Sequence, residues 1–273
     1  MATEQLTKTL AHWERHGTVA HLRLDDAARL NALSVPLVDA ALRALDEIEA
    51  DETVRALVLS GAGRAFSAGG DLADVGARVA SGEPWPRLDV LRRLQRLVTR
   101  LRGSRLPIVA AVSGPAYGAG WSVVLACDLV VAAGDARFCQ IFVRRNLVPD
   151  LGSAWLLPRA VGTLRAKEMM LLGEEWSADA AHAVGLVNRL VATPPEAERE
   201  AMRIATRMAE TTPATLAMAK DLINRGQALS FEDLLKLEEH AQALALGTPE
   251  TLRAMADFLE KRGAASGVVR PST

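Results

Sequence analysis

The 273-residue sequence is poor in aromatic residues, at 4%, and has only two cysteines. With 49% hydrophobic residues but few large rings, its core must be built mainly from Ala, Leu and Val. Cys127 and Cys139 follow no metal-ligand spacing and are too few for a disulfide scaffold, so free thiols in a reducing cytoplasm are expected. The net charge of -1 excludes the strongly basic footprint of a nucleic-acid or anionic-membrane binder. An Arg-rich run, "LRRLQRLVTRLR" at 91–102, is no exception. Leu91, Leu94, Leu97, Val98 and Leu101 recur at helical spacing, which predicts an amphipathic helix with a basic outer face. The opening "MATEQLTKTL" lacks the apolar stretch of a signal peptide. The longest weakly charged stretch, residues 106–134, holds Asp128 as its only charge. Glycines and Pro115 break it into strand, loop, helix and strand rather than a membrane span. A soluble, cytoplasmic protein is expected.

What the chain does contain is alternation. β-branched runs at 17–24, 54–61, 107–114, 128–134 and 185–191 read as strands. Helical patterns fall at 34–50, 87–102, 120–126 and, in pieces, 153–183. This is the α/β signature. After Thr193-Pro194-Pro195 the pattern is helical throughout, at about 195–210, 213–226, 230–246 and 249–262. Proline at the first helical position after Thr212 and Thr248, and a capping box at Ser230 and Asp233, mark the starts. The sequence therefore predicts an α/β core over 1–192 and an all-helical region over 193–273, with "GAASGVVRPST" as a disordered tail. No repeat of fixed period is present.

Two predicted strands run into glycine-rich loops, "GAGRAFSAGGDL" (61–72) and "SGPAYGAGWSVV" (113–124). Without side chains in the way, such loops bring backbone N–H groups close to a ligand. Neither has the spacing of a dinucleotide fingerprint, and no Lys-Ser/Thr pair of a phosphate loop follows. Two N–H donors from two loops aimed at one oxygen would form an oxyanion hole. Two tight strand-to-helix connections would explain the same glycines.

"GRAFSAGGDL" followed by "PIVAAVSGPAYGAGWSVVLACDLVVAAGDARFCQ" resembles the crotonase, or enoyl-CoA hydratase/isomerase, superfamily, over roughly residues 14–262. The resemblance implies a spiral of ββα turns with a helical C-terminal region that builds trimers or dimers of trimers. It also implies an acyl-CoA thioester substrate and no metal or redox cofactor, coenzyme A being part of the substrate. The oxyanion donors would be the N–H groups of Gly70 and Ala119. Ala65, Ala68, Asp71 and Leu72 match positions lining the CoA groove, although Asp71 could simply cap the next segment. In "FLEKRG", Phe258 and Lys261 match residues that reach CoA, but the Pro and Phe that end the family's motif are missing.

Hydratases of this family use two glutamates, and the matching positions here hold Ser122 and Phe142. Both carboxylates are absent. The one well-placed carboxylate left is Asp150, in "LVPDLGSAWLLPR" (147–159), where a charge sits among Leu, Val, Trp and Pro. One reading is a turn or helix cap. The other follows from "FVRRNLVPDLGSAWLLPRAVG", which resembles the enoyl-CoA and epoxyphenylacetyl-CoA isomerase branch, where the Asp of "VPD" is the catalytic base. One carboxylate could take a proton at C2 and return it at C4, and an apolar shell of Leu147, Val148, Trp155 and Phe142 should raise its pKa.

Three rivals remain. The chain could still be a hydratase, or a non-catalytic acyl-CoA binder. Ser122 could be a hydrolase nucleophile, but such a serine needs a base, and the five histidines, His12, His16, His21, His182 and His240, all lie outside 54–160. A small polar residue beside the acyl pocket is the simpler role for Ser122.

Overall fold

A computed structural model describes residues 9–82 and 88–265. The readings of the N-terminal segment and of the tail fall mostly on residues 1–8 and 266–273, outside the described residues. The chain forms two compact units, residues 1–210 and 211–273.

The first unit is built on two sheets. The larger has six strands in the order β1 (Ala11–His16), β2 (Val19–Leu24), β3 (Ala56–Gly61), β4 (Ile108–Val112), β6 (Leu129–Ala133) and β9 (Arg189–Val191). β1 and β2 form an antiparallel hairpin; every later pairing is parallel. β5 (Pro115–Tyr117), β7 (Arg137–Cys139) and β8 (Glu175–Ser177) make the smaller sheet. A bridge between Ser67 and Ala116 adds one residue of the first glycine-rich loop to its edge. Successive turns of the chain thus place one strand in the large sheet and a short one in the small sheet before a helix. This is the expected ββα spiral. The central parallel strands of the large sheet are buried on both faces, as strands covered by helices on both sides must be. β3 and β4 have no exposed residue.

Helices cover both faces. α1 (Val35–Ala50) starts at Ser34, whose hydroxyl accepts from the Leu37 N–H, and buries Leu37, Val38, Ala41, Leu45 and Ile48 at helical spacing. α2 (Leu72–Ala80) follows the first loop, and α3 (Leu88–Gly103) buries Leu94, Leu97, Val98 and Leu101. The basic face of α3 meets acids of α1: Arg93 pairs with Asp39, and Arg100 with Asp46 and Glu49. α4 (Ala119–Leu125) follows the second loop, and α5 (Ser153–Val161), α6 (Thr163–Leu172) and α7 (Ala178–Ala183) complete the spiral.

α8 (Pro194–Ala209) lies on the other face of the large sheet. Ala197, Ala201, Ala205 and Ala209 repeat every four residues and pack on Val19, Val58, Val109 and Val131. Only a methyl-sized stripe allows a helix this close. α8 therefore belongs to the first unit, and the division between units falls after Glu210 rather than after residue 192. The second unit holds α9 (Pro213–Gly226), α10 (Phe231–Leu246) and α11 (Pro249–Ala265). The Ser230 hydroxyl accepts from the Asp233 N–H at 3.1 Å, as the capping box predicts. Among the described residues no helix is long and apolar enough to cross a membrane, and no cluster of three or more His, Cys, Asp or Glu could hold a metal ion.

Candidate active site

The two glycine-rich loops meet backbone to backbone. The Ser67 N–H donates to the Pro115 carbonyl and the Tyr117 N–H to the Ser67 carbonyl, both at 3.0 Å. Gly69 has φ +95°, and a Cβ there would fall 2.6 Å from the Tyr117 carbonyl oxygen and 3.5 Å from the Ala119 nitrogen. On the other side, a Cβ on Gly120 would meet the Ser67 Cβ and carbonyl oxygen at 2.7 Å. Glycine is the only residue that lets these loops touch. The contact brings Gly69 close to the Ala119 nitrogen, and Gly70 is the next residue in the chain. Gly70 is exposed and Ala119 is buried at the first turn of α4. Among the described residues neither N–H meets a protein acceptor.

The first loop is held from beneath by Asn31, which the sequence reading passed over. It is fully buried at φ 53°, a backbone region Asn tolerates better than most residues. Its side-chain amide donates to the Ala62 carbonyl at 2.9 Å and the Ala65 carbonyl at 2.8 Å, while its backbone carbonyl oxygen accepts from the Ser67 hydroxyl at 2.8 Å. Ala65 is buried, Ala68 half-buried and Leu72 exposed. The Asp71 carboxylate is ion-paired with Arg29 at 3.1 Å, and the same guanidinium holds Asp26 at 2.7 Å. Asp71 also stands at the start of α2, where its carbonyl accepts from the Val75 N–H at 3.3 Å.

Asp150 lies against α4, its carbonyl oxygen 3.3 Å from the Ser122 hydroxyl oxygen. Leu151 (φ 49°) and Gly152 (φ 79°) both have left-handed backbone, and the Ser153 N–H donates back to the Asp150 carbonyl at 3.0 Å. The pair makes a tight turn of the kind that needs positive φ at both central residues. Leu151 tolerates the strain because its side chain is buried in the core. The helix-cap reading of Asp150 does not hold. Gly152 is the cap residue of α5, and it is the Asp150 carbonyl, not its carboxylate, that takes the Ser153 N–H. The carboxylate is left without that partner. Its Oδ1 is buried and, among the described residues, unpaired, and burial pushes the pKa from 3.8 up to about 6, partly offset by the residue's own N–H.

Ser122 and Phe142 pack around the second loop. A Cβ on Gly118 would lie 3.6 Å from Phe142 Cζ, so this buried ring sits directly over the residue before Ala119. The Ser122 hydroxyl is fully buried, and its single proton is shared between the Gly118 carbonyl at 3.2 Å and the Asp150 carbonyl at 3.3 Å. Shut off from solvent and spent on two carbonyls, it does not have a nucleophile's setting. A Ser–His contact does occur, His21 Nε2 to Ser60 Oγ at 2.8 Å, but in β2 and β3, outside both loops. Gln140, also unforeseen, is fully buried, and among the described residues neither of its amide atoms is paired. Of the expected apolar shell, Leu147 and Val148 are exposed, and the Trp155 ring lies under the guanidinium groups of Arg102 and Arg159.

In the second unit, Phe258 is 61% exposed and lines an apolar groove with Thr212, Thr215, Met255 and Leu259. Lys261 is exposed on the following turn of α11.

Residues 14–266 match the family model described as enoyl-CoA hydratase/isomerase. The chain is 35% identical over 253 residues to the 1,2-epoxyphenylacetyl-CoA isomerase of Escherichia coli K12, covering 93% of this chain and 95% of that one. It is 32% identical to the short-chain-enoyl-CoA hydratase of Clostridium acetobutylicum, covering 91% and 94%. The crystal structure of an enoyl-CoA hydratase from Polaromonas sp. JS666 superposes with a TM-score of 0.87 at 33% identity, covering 92% of this chain and 97% of that one.

Proposed function

This chain belongs to the enoyl-CoA hydratase/isomerase family, and we propose that it shifts the double bond of an enoyl-CoA thioester, Δ3 to Δ2 or in a related ring-bearing substrate. The observation that carries the reading is the Asp150 carboxyl, buried, with Oδ1 unpaired and a pKa raised to about 6. A base poised this near neutrality can take a proton from carbon and give it back. The N–H groups of Gly70 and Ala119 receive the thioester oxygen and stabilise the dienolate formed between the two transfers. Because one group handles both transfers, no activated water is needed. The acyl-CoA lies along Ala65, Ala68, Asp71 and Leu72. Phe258 and Lys261 reach its CoA portion from the same or a neighbouring subunit of a trimer or dimer of trimers, and the chemistry runs without metal or redox cofactor.

Names among the relatives favour a second reading, hydration. Against it stand Ser122 and Phe142, neither of which can activate water as a carboxylate does. Absorbance of the conjugated thioester separates the two, measured with a 3-enoyl-CoA and with crotonyl-CoA. Isomerisation should be efficient and fall about 10²–10⁴-fold in Asp150→Ala, while hydration of crotonyl-CoA stays very weak. Efficient hydration that survives loss of Asp150 would overturn both the reaction and the base. If Asp150→Ala binds acyl-CoA unchanged and the wild type turns over neither substrate, the chain is a binder.

A further inference from the structure

We propose that Ser122 is a positioning residue that ties the donor peptide of the second loop to the backbone of Asp150; the proposal rests on the isomerase reading above. Its hydroxyl lies 3.2 Å from the Gly118 carbonyl oxygen and 3.3 Å from the Asp150 carbonyl oxygen, and the side chain is fully buried. A serine hydroxyl on the carbonyl four residues back is a common helical arrangement by itself. The second acceptor, 28 residues along the chain and in reach of the same proton, makes this one a bifurcated tether.

Both ends of the tether matter. The Gly118 carbonyl and the Ala119 N–H belong to one planar trans peptide and point in opposite directions. That carbonyl takes the Ser122 hydroxyl and also the Ser122 N–H, at 3.0 Å. Two donors on the oxygen fix the plane of the peptide and polarise it, which makes the N–H on its far side a stronger donor. At the other end, the Asp150 carbonyl takes the N–H and hydroxyl of Ser153, at 3.0 and 2.9 Å, and the shared Ser122 proton adds a longer third contact at 3.3 Å. The residue carrying the base is thereby held just before the strained Leu151–Gly152 pair. An ionised carboxylate at 122 accepts hydrogen bonds only and could not donate into either carbonyl. Serine at this position therefore sets the spacing between donor and base rather than leaving a gap.

The test compares wild type, Ser122→Ala, Ser122→Thr and Asp150→Ala. Two readouts are used: kcat and KM on a 3-enoyl-CoA, and the absorption band of bound cinnamoyl-CoA, a conjugated thioester whose band moves to longer wavelength as its carbonyl is polarised. Ser122→Ala should lose about tenfold in kcat with KM within about twofold, as expected for slight misplacement of reacting groups. It should also lose at least half of the red shift, and Ser122→Thr, which keeps the hydroxyl, should recover both. Wild-type kcat and red shift in Ser122→Ala overturn the tether. So does a Thr variant that folds and behaves like Ala. An inactive Asp150→Ala beside an unaffected Ser122→Ala leaves the isomerase reading standing and removes only this proposal. A wild type that shifts the cinnamoyl band without isomerising overturns the isomerase reading, and the band in Ser122→Ala then decides the hold on the donor peptide.

Discussion

Asp150→Asn keeps the shape of the side chain and removes its charge, so it isolates the cost of burying that charge. In the unfolded chain the carboxyl ionises at its ordinary 3.8; in the folded protein it holds its proton to about 6. Between these values the folded state binds more protons than the unfolded one, so stability falls as pH rises through the window and is level above it. At 1.36 kcal/mol per pKa unit the full difference is about 3 kcal/mol, and because Asp150 is partly exposed the observable share is about 1–2 kcal/mol. Asp150→Asn should therefore be more stable than wild type by about that amount at pH 8, with the gain shrinking to nothing near pH 4. Denaturant unfolding of both proteins across this range measures it. The same ionisation governs the chemistry, because only the deprotonated carboxylate can act as base. Wild-type isomerisation should climb with pH to half its plateau near pH 6, and Asp150→Asn should be inactive throughout. A half-maximum near pH 4, or a stability gain equal at pH 4 and pH 8, would refute the desolvated carboxyl.

Gly120→Ala must push the loops apart, because its Cβ would lie 2.7 Å from the Ser67 Cβ and carbonyl oxygen. Turnover should fall about tenfold or more, read in the isomerisation assay, and wild-type turnover would mean the loops need not touch. Ala205→Leu overfills the contact between α8 and the sheet, where Ala205 is fully buried. It should cost about 1–3 kcal/mol in denaturant unfolding, and a neutral result would show slack under that helix. Gln140→Leu removes a buried amide with neither atom paired. Stability should rise by about 1–3 kcal/mol, whereas a loss would show that the amide has a partner in solution.

Much of the large sheet was legible from the chain. β3, β4 and β6 are buried on both faces and therefore read as apolar runs whatever their neighbours. The strands of the small sheet were not legible. β5, β7 and β8 have three residues each, too few for any periodicity, and they are strands only because the spiral lays them side by side. β9 shrank for a related reason: Asn188 replaces a strand residue, with its N–H donating to the Val130 carbonyl at 2.8 Å and its side-chain oxygen accepting from the Val130 N–H at 2.7 Å. α8 was legible as a helix but not as part of the core. Its alanine stripe shows a small-residue face, yet nothing local says that a sheet of valines will cover it.

The division at the site follows the same line. Glycine spacing marked both loops, because the need for a side-chain-free backbone is a local property that the chain must encode in residue type. Asp150 stood out because an acid among apolar residues is locally anomalous. The sequence alone left open whether that acid capped a helix, and the fold decided it by giving the cap to Gly152 and the turn bond to a carbonyl. The sequence had assigned the apolar shell to Leu147, Val148, Trp155 and Phe142, but Leu147 and Val148 face outward and the Trp155 ring lies under Arg102 and Arg159. Asn31, Gln140 and the two carbonyls joined by Ser122 lay outside any sequence reading. Hydrogen bonds between segments 28 to 36 residues apart depend on how the chain is wound, and residue types leave no trace of them until the winding is known.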